Sequence, residues 1–70
     1  MHLQPVPRAS ENIKATYYDQ HTGTAYIEFH TGDTYRYNFP ATVYNEMLAA
    51  SSIGEYFAKH IRKDYPGVKI

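Results

Sequence analysis

With 70 residues the chain holds one domain and has no room for a second. It has no cysteine, so neither disulfides nor a thiolate metal site supports the fold. Seven Lys and Arg balance seven Asp and Glu, a neutrality that argues against strong, non-specific nucleic-acid binding through many phosphate contacts, although Lys59, Arg62, Lys63 and Lys69 gather at one end.

A domain this small buries only about 60% of its unfolded surface, so its core has to come from large side chains. Eight tyrosines and three phenylalanines supply them, each able to bury roughly 150–250 Å². Tyr17, Tyr35, Tyr37, Tyr44, Phe29, Phe39 and Phe57 are the core candidates. No apolar run approaches the roughly 18 residues of a membrane span. The start, Met1-His2-Leu3-Gln4-Pro5, lacks the basic-then-apolar pattern of a signal peptide. Both point to a cytoplasmic protein with no membrane partner.

Residues 1–10 contain Pro5 and Pro7 and no periodicity, and read as a flexible lead-in. From residue 12 the chain alternates. Ile13, Ala15 and Tyr17 point one way and Lys14, Thr16 and Tyr18 the other, the pattern of a half-buried strand. Asp19-Gln20-His21-Thr22-Gly23 is turn chemistry. A second strand comes next, with Ala25, Ile27 and Phe29 on one face and Tyr26, Glu28 and His30 on the other. A third has Tyr35, Tyr37 and Phe39 inward and Thr34, Arg36 and Asn38 outward.

Residues directly opposed in antiparallel strands share a face. Phe29 and Tyr35 share one, so the loop between them has an odd length; His30-Thr31-Gly32, with glycine third, fits. That register sets Tyr26 opposite Arg36 and Ile27 opposite Tyr35. The same parity gives the first loop five residues, Asp19 to Gly23, with Tyr17 opposite Ala25.

The period then changes. Pro40 suits the first turn of a helix, and Val43, Tyr44, Met47 and Leu48 recur at helical spacing. Ser52-Ile53-Gly54-Glu55 reads as a capping box that starts a second helix. Its apolar stripe is Ile53, Tyr56, Phe57 and Ile61, and Tyr65-Pro66-Gly67 stops it. The expected architecture is α+β: a three-stranded antiparallel meander followed by two helices packed on one face of the sheet. The domain runs over 11–66, with residues 67–70 as a tail.

This order of residues resembles the KTSC domain, from about residue 9 to residue 66. The resemblance is carried by Tyr18-Asp19 through Thr22-Gly23, Glu28-Phe29 and the central Tyr35-Arg36-Tyr37. It continues through Pro40, Val43-Tyr44, Leu48-Ala49-Ala50, Ser52, Gly54, Tyr56-Phe57, His60-Ile61 and Tyr65-Pro66. Ala25 departs from it, standing where the family usually has a larger aliphatic residue. The family occurs alone in bacterial and phage proteins and at the C-terminus of some lysyl-tRNA synthetases. It has no established activity, and that company implies RNA binding by association.

The residues support a binding module, not an enzyme. If both helices cover one face, the other presents tyrosines interleaved with cations, which can stack bases and touch phosphates. Lys14, Tyr18, Tyr26 and Arg36 are the candidate nucleic-acid contacts, with Lys59, Arg62 and Lys63 adding charge from the end of the second helix. The plainer readings are an ordinary cross-strand cluster on a solvated sheet and basic residues that complement a helix dipole. An alternative function is a protein-interaction module that docks on a larger host protein through an open edge of the first or third strand. Self-association through the tyrosine face would make a weak homo-oligomer instead of a monomer.

No metal or other cofactor is indicated. His21 and His30 stand at opposite ends of a strand, roughly 25–30 Å apart at about 3.3 Å per residue, too far to share an ion. Ser10, Ser51 and Ser52 have no base at a telling spacing, and no glycine loop cradles a phosphate.

Overall fold

The computed structural model describes residues 2–6 and 12–70; Pro7 and Ser10 of the lead-in lie outside them. Five strands form one antiparallel sheet in chain order: β1 (Gln4–Pro5), β2 (Ile13–Asp19), β3 (Thr24–Phe29), β4 (Thr34–Asn38) and β5 (Val68–Lys69). Between β4 and β5 run α1 (Ala41–Ala49) and α2 (Ile53–Tyr56), and α2 continues as a wide π turn over Phe57–Ile61. The three-stranded meander is therefore the middle of a five-stranded sheet. The added strands come from the expected lead-in and tail: Gln4 and Pro5 pair with Thr16 and Ala15, and Lys69 and Val68 with Tyr35 and Arg36. Two residues are too short to carry a two-residue period, so neither strand had a pattern to read.

The β3–β4 hairpin has the expected register, with Tyr26 opposite Arg36 and Ile27 opposite Tyr35. Its loop is His30-Thr31-Gly32, closed by the Phe29 amide donating to Asp33 O at 2.9 Å. Gly32 takes φ +97°, a region a β-carbon disfavours.

The β2–β3 hairpin differs. Ile13 pairs with Phe29 but Ala15 pairs with Glu28, so Lys14 is the extra residue of a β-bulge. One extra residue inverts the parity of everything after it. Tyr18, not Tyr17, stands opposite Ala25, and Asp19 pairs with Thr24. The loop is thus Gln20 to Gly23, one residue shorter than the alternation implied. It is pinned by the His21 amide on Asp19 Oδ1 and the Gly23 amide on Asp19 O, each at 2.9 Å.

Both helical segments cover the same face of the sheet. Thr16 and Tyr44 of α1 share a 2.8 Å hydroxyl hydrogen bond, and Tyr18 stacks on Tyr44 at 5.1 Å. Phe57 meets Phe29 and Tyr37 edge-on. The buried cluster is Ile13, Ala25, Ile27, Tyr37, Phe39, Met47, Ile53, Phe57 and Ile61, with Phe29, Tyr35 and Tyr44 packed against it. Aliphatic residues fill more of its centre than the aromatic count suggested, and Tyr17 is not part of it.

Pro40 stands one position earlier than expected, at the N-cap of α1, where its carbonyl accepts from the Val43 amide at 3.0 Å. Ser52 caps α2 as its sequence predicts, accepting the Glu55 amide at 3.2 Å. The Glu55 carboxylate turns outward to Lys59 instead of completing the box.

Candidate functional site

The bulge at Lys14 decides which side chains face solvent across the uncovered side of the sheet. Beyond it the odd residues of β2 turn outward. Tyr17 opposes Tyr26, Tyr26 opposes Arg36, and Arg36 opposes Val68, so these four form one row across four strands. The Tyr17 and Tyr26 rings lie 6.2 Å apart at a 35° tilt, both half-buried, while Arg36 is exposed. Val68 ends the row 46% exposed, one of the largest apolar groups in water. Among the described residues no carboxylate pairs with Arg36; the ion pairs are Lys59–Glu55 at 3.1 Å and Lys69–Asp33 at 3.3 Å.

The structure separates the seven residues singled out from the sequence. Tyr26 and Arg36 do share the outer face, with exposed Lys14 at the bulge of β2. Tyr18 is on the opposite, helix-covered face, where its hydroxyl donates to Phe39 O at 2.6 Å and its ring stacks on Tyr44. The cause is the inverted parity. Tyr17 takes its place outside, missed because two adjacent tyrosines have the same hydropathy and nothing in the alternation ranks them. Lys59, Arg62 and Lys63 lie at the end of the helical segment. Arg62 reaches over Phe57 of the helix-covered layer, 6.0 Å from the ring centroid, so this basic end and Arg36 belong to opposite layers. The edges of β2 and β4, which an incoming partner strand would need, are occupied over two residue pairs each by β1 and β5.

On the helix side an open cleft of about 620 Å³ lies between the β3–β4 hairpin and the π turn, walled by Phe29, Tyr35, Tyr37 and Phe57. Burial pushes the Tyr37 hydroxyl above its ordinary pKa; the Arg62 charge draws it down and Tyr35 pushes it up. The Tyr56 hydroxyl, donating to Glu46 Oε1 at 2.8 Å, is also raised, first by that hydrogen bond. A phenol with a folded pKa above the unfolded value favours the fold while protonated. That stability is fully present below about pH 10 and is lost as pH climbs through the folded pKa. The urea midpoint is therefore expected to fall from about pH 10 upward, and less steeply in Tyr37→Phe/Tyr56→Phe. Equal slopes in the two proteins would contradict the assignment.

Among the described residues no group of three or more His, Cys, Asp or Glu converges as a metal site requires. Nor is any helix there long and apolar enough to cross a membrane.

Comparison with known proteins places this fold in a family. No curated protein matches the chain. Among solved structures it is similar to the crystal structure of a KTSC domain protein from Yersinia pestis. The two share 27% sequence identity and a TM-score of 0.88, over 99% of this chain and 96% of that one. The sequence profile of the KTSC domain matches residues 9–65. With most of its length inside that profile and its fold superposing on a member, the chain belongs to the KTSC domain family.

Proposed function

We propose that this domain is a non-enzymatic binding module whose uncovered sheet face takes single-stranded nucleic acid, RNA above all. The observation that carries the reading is the row Tyr17–Tyr26–Arg36, two rings and a cation in register on a face that no described helix covers, the cation having no carboxylate partner among the described residues. Base stacking on an aromatic ring contributes about 1–3 kcal/mol per base and tolerates any sequence. Arg36 supplies a donor fork for a phosphate or a plane for a further base. Lys14 adds a second charge at the bulge. On this reading the domain works in the cytoplasm as a monomer or weak homo-oligomer.

Neutral net charge sets the expected strength. With Arg36 and Lys14 as the only phosphate partners, log K falls against log salt with a slope of about −1.4, at roughly −0.7 per contact on a single strand. Binding is therefore weak and only mildly salt-sensitive. Fluorescence anisotropy of a labelled single-stranded RNA pool at low salt tests this. Tyr26→Ala is expected to weaken binding by roughly 5- to 150-fold, and Arg36→Ala to weaken it and flatten the salt slope by about 0.7. No binding by the wild type at low salt, or wild-type affinity in Tyr26→Ala, overturns the proposal. A lysate partner that survives nuclease treatment and is lost in the same two variants would instead make this face a protein-docking surface.

A further inference from the structure

The cleft on the helix side is independent of the sheet face. Its walls are four rings in mutual edge contact: Phe29 with Tyr35 at 5.8 Å, Phe29 with Phe57 at 5.5 Å, and Tyr37 with Phe57 at 5.4 Å. Its volume of about 620 Å³ falls within the roughly 300–1,000 Å³ typical of small-molecule sites. Two charged side chains line it, Asp33 and Arg62. Asp33 is already matched by Lys69 at 3.3 Å. Among the described residues no carboxylate matches Arg62, so the cleft carries uncompensated positive charge at one point.

The backbone puts that charge there by an unusual route. In an α-helix residue i+5 stands roughly 140° around the axis from residue i. Here the Arg62 amide donates to Phe57 O at 2.9 Å, an i+5 bond that widens the turn and brings Arg62 back over the Phe57 ring. Wide turns of this kind are rare inside helices and concentrate at functional sites. A regular helix through Phe57–Ile61 would carry Arg62 away from the cleft.

We propose that this cleft binds a small planar ligand bearing a single anionic group, its ring among Phe29, Tyr35, Tyr37 and Phe57 and its anion on the Arg62 guanidinium. A flat ring offers the edges and faces that aromatic walls pack against. A carboxylate or phosphate offers the fork geometry that guanidinium matches. A cationic or uncharged ring lacks the second interaction.

Amide chemical-shift titration of the whole chain tests this with four probes: adenosine 5′-monophosphate and 4-hydroxybenzoate, and their anion-free counterparts adenosine and phenol. At least one anionic probe is expected to saturate shifts at Phe57, Ala58 and Arg62, and to bind at least tenfold more tightly than its counterpart. Which of the two does so distinguishes a phosphate from a carboxylate ligand. Arg62→Gln is expected to weaken that probe by roughly 10- to 100-fold; Arg62→Lys, which keeps the charge, weakens it less and guards against a variant that misfolds. Arg36→Ala, on the other face, leaves the titration unchanged, so failure here and failure of the nucleic-acid reading are separate results. If neither anionic probe shifts these amides at millimolar concentration, or if Arg62→Gln and Arg62→Lys both bind like the wild type, the proposal is wrong.

Discussion

Replacing Phe57 by alanine is expected to remove about 3–5 kcal/mol of stability, the cost of truncating a buried aromatic ring. Domains carry roughly 0.05–0.15 kcal/mol per residue, so in a 70-residue chain that loss is between about a third and the whole of the margin. Phe57 is 2% exposed and its ring holds the helix layer to the sheet through Phe29 and Tyr37. It also carries the Arg62 guanidinium, and its carbonyl accepts the bond that closes the wide turn. Urea unfolding followed by circular dichroism is the measurement. A loss below about 1 kcal/mol would mean the helix and sheet are held together elsewhere and the core assignment is mistaken.

The second large effect is expected at an exposed residue. Gly67 passes so close to Tyr37 that a β-carbon there would lie 2.5 Å from the ring's Cε2, 2.7 Å from Cζ and 2.8 Å from Oη. The Tyr37 ring is 7% exposed and wedged against Phe57, so it cannot swing aside. The chain has to move instead. Gly67 leads directly into β5, which is held by two residue pairs, the Ile70 amide on Thr34 O at 2.9 Å and the Lys69–Asp33 ion pair. Gly67→Ala is therefore expected to cost about 1–3 kcal/mol, the range for overpacking, and to lift β5 from β4. Hydrogen exchange should speed at Ile70 while Ile27, in the middle of β3, stays protected. Unchanged exchange at Ile70 together with an unchanged melting temperature would show that the close approach is not a constraint.

Sequence reasoning succeeded where one local rule dominated. The odd loop length demanded by Phe29 and Tyr35, with glycine at the third position, was enough to place Tyr26 against Arg36. Ser52 three residues before Glu55 was enough to start α2. It failed where two readings had equal hydropathy. Tyr17 and Tyr18 are interchangeable to any pattern, and only the bulge at Lys14 sends one outward and the other beneath α1. Bulges leave no compositional mark here, since Lys14 is an ordinary exposed strand residue on either reading. The wide turn at Phe57–Ile61 was hidden for a related reason: Ile53, Phe57 and Ile61 are spaced four apart and read as one regular apolar stripe. So the row containing Tyr26 and Arg36 was partly legible, and the cleft, which depends on where the turn puts Arg62, was not.

The pairs Gln4–Pro5 and Val68–Lys69 do more than widen the sheet. An open strand edge is a template on which another chain can crystallise into a growing ribbon. Bare, β2 and β4 would each offer such a template at several consecutive residues. As built, one rim ends in a proline, which has no amide hydrogen to donate, and the other in two residues that include a charged lysine. The two longer edges of this tyrosine-rich sheet are thus each masked over two residue pairs by a short bumper, one at each flank.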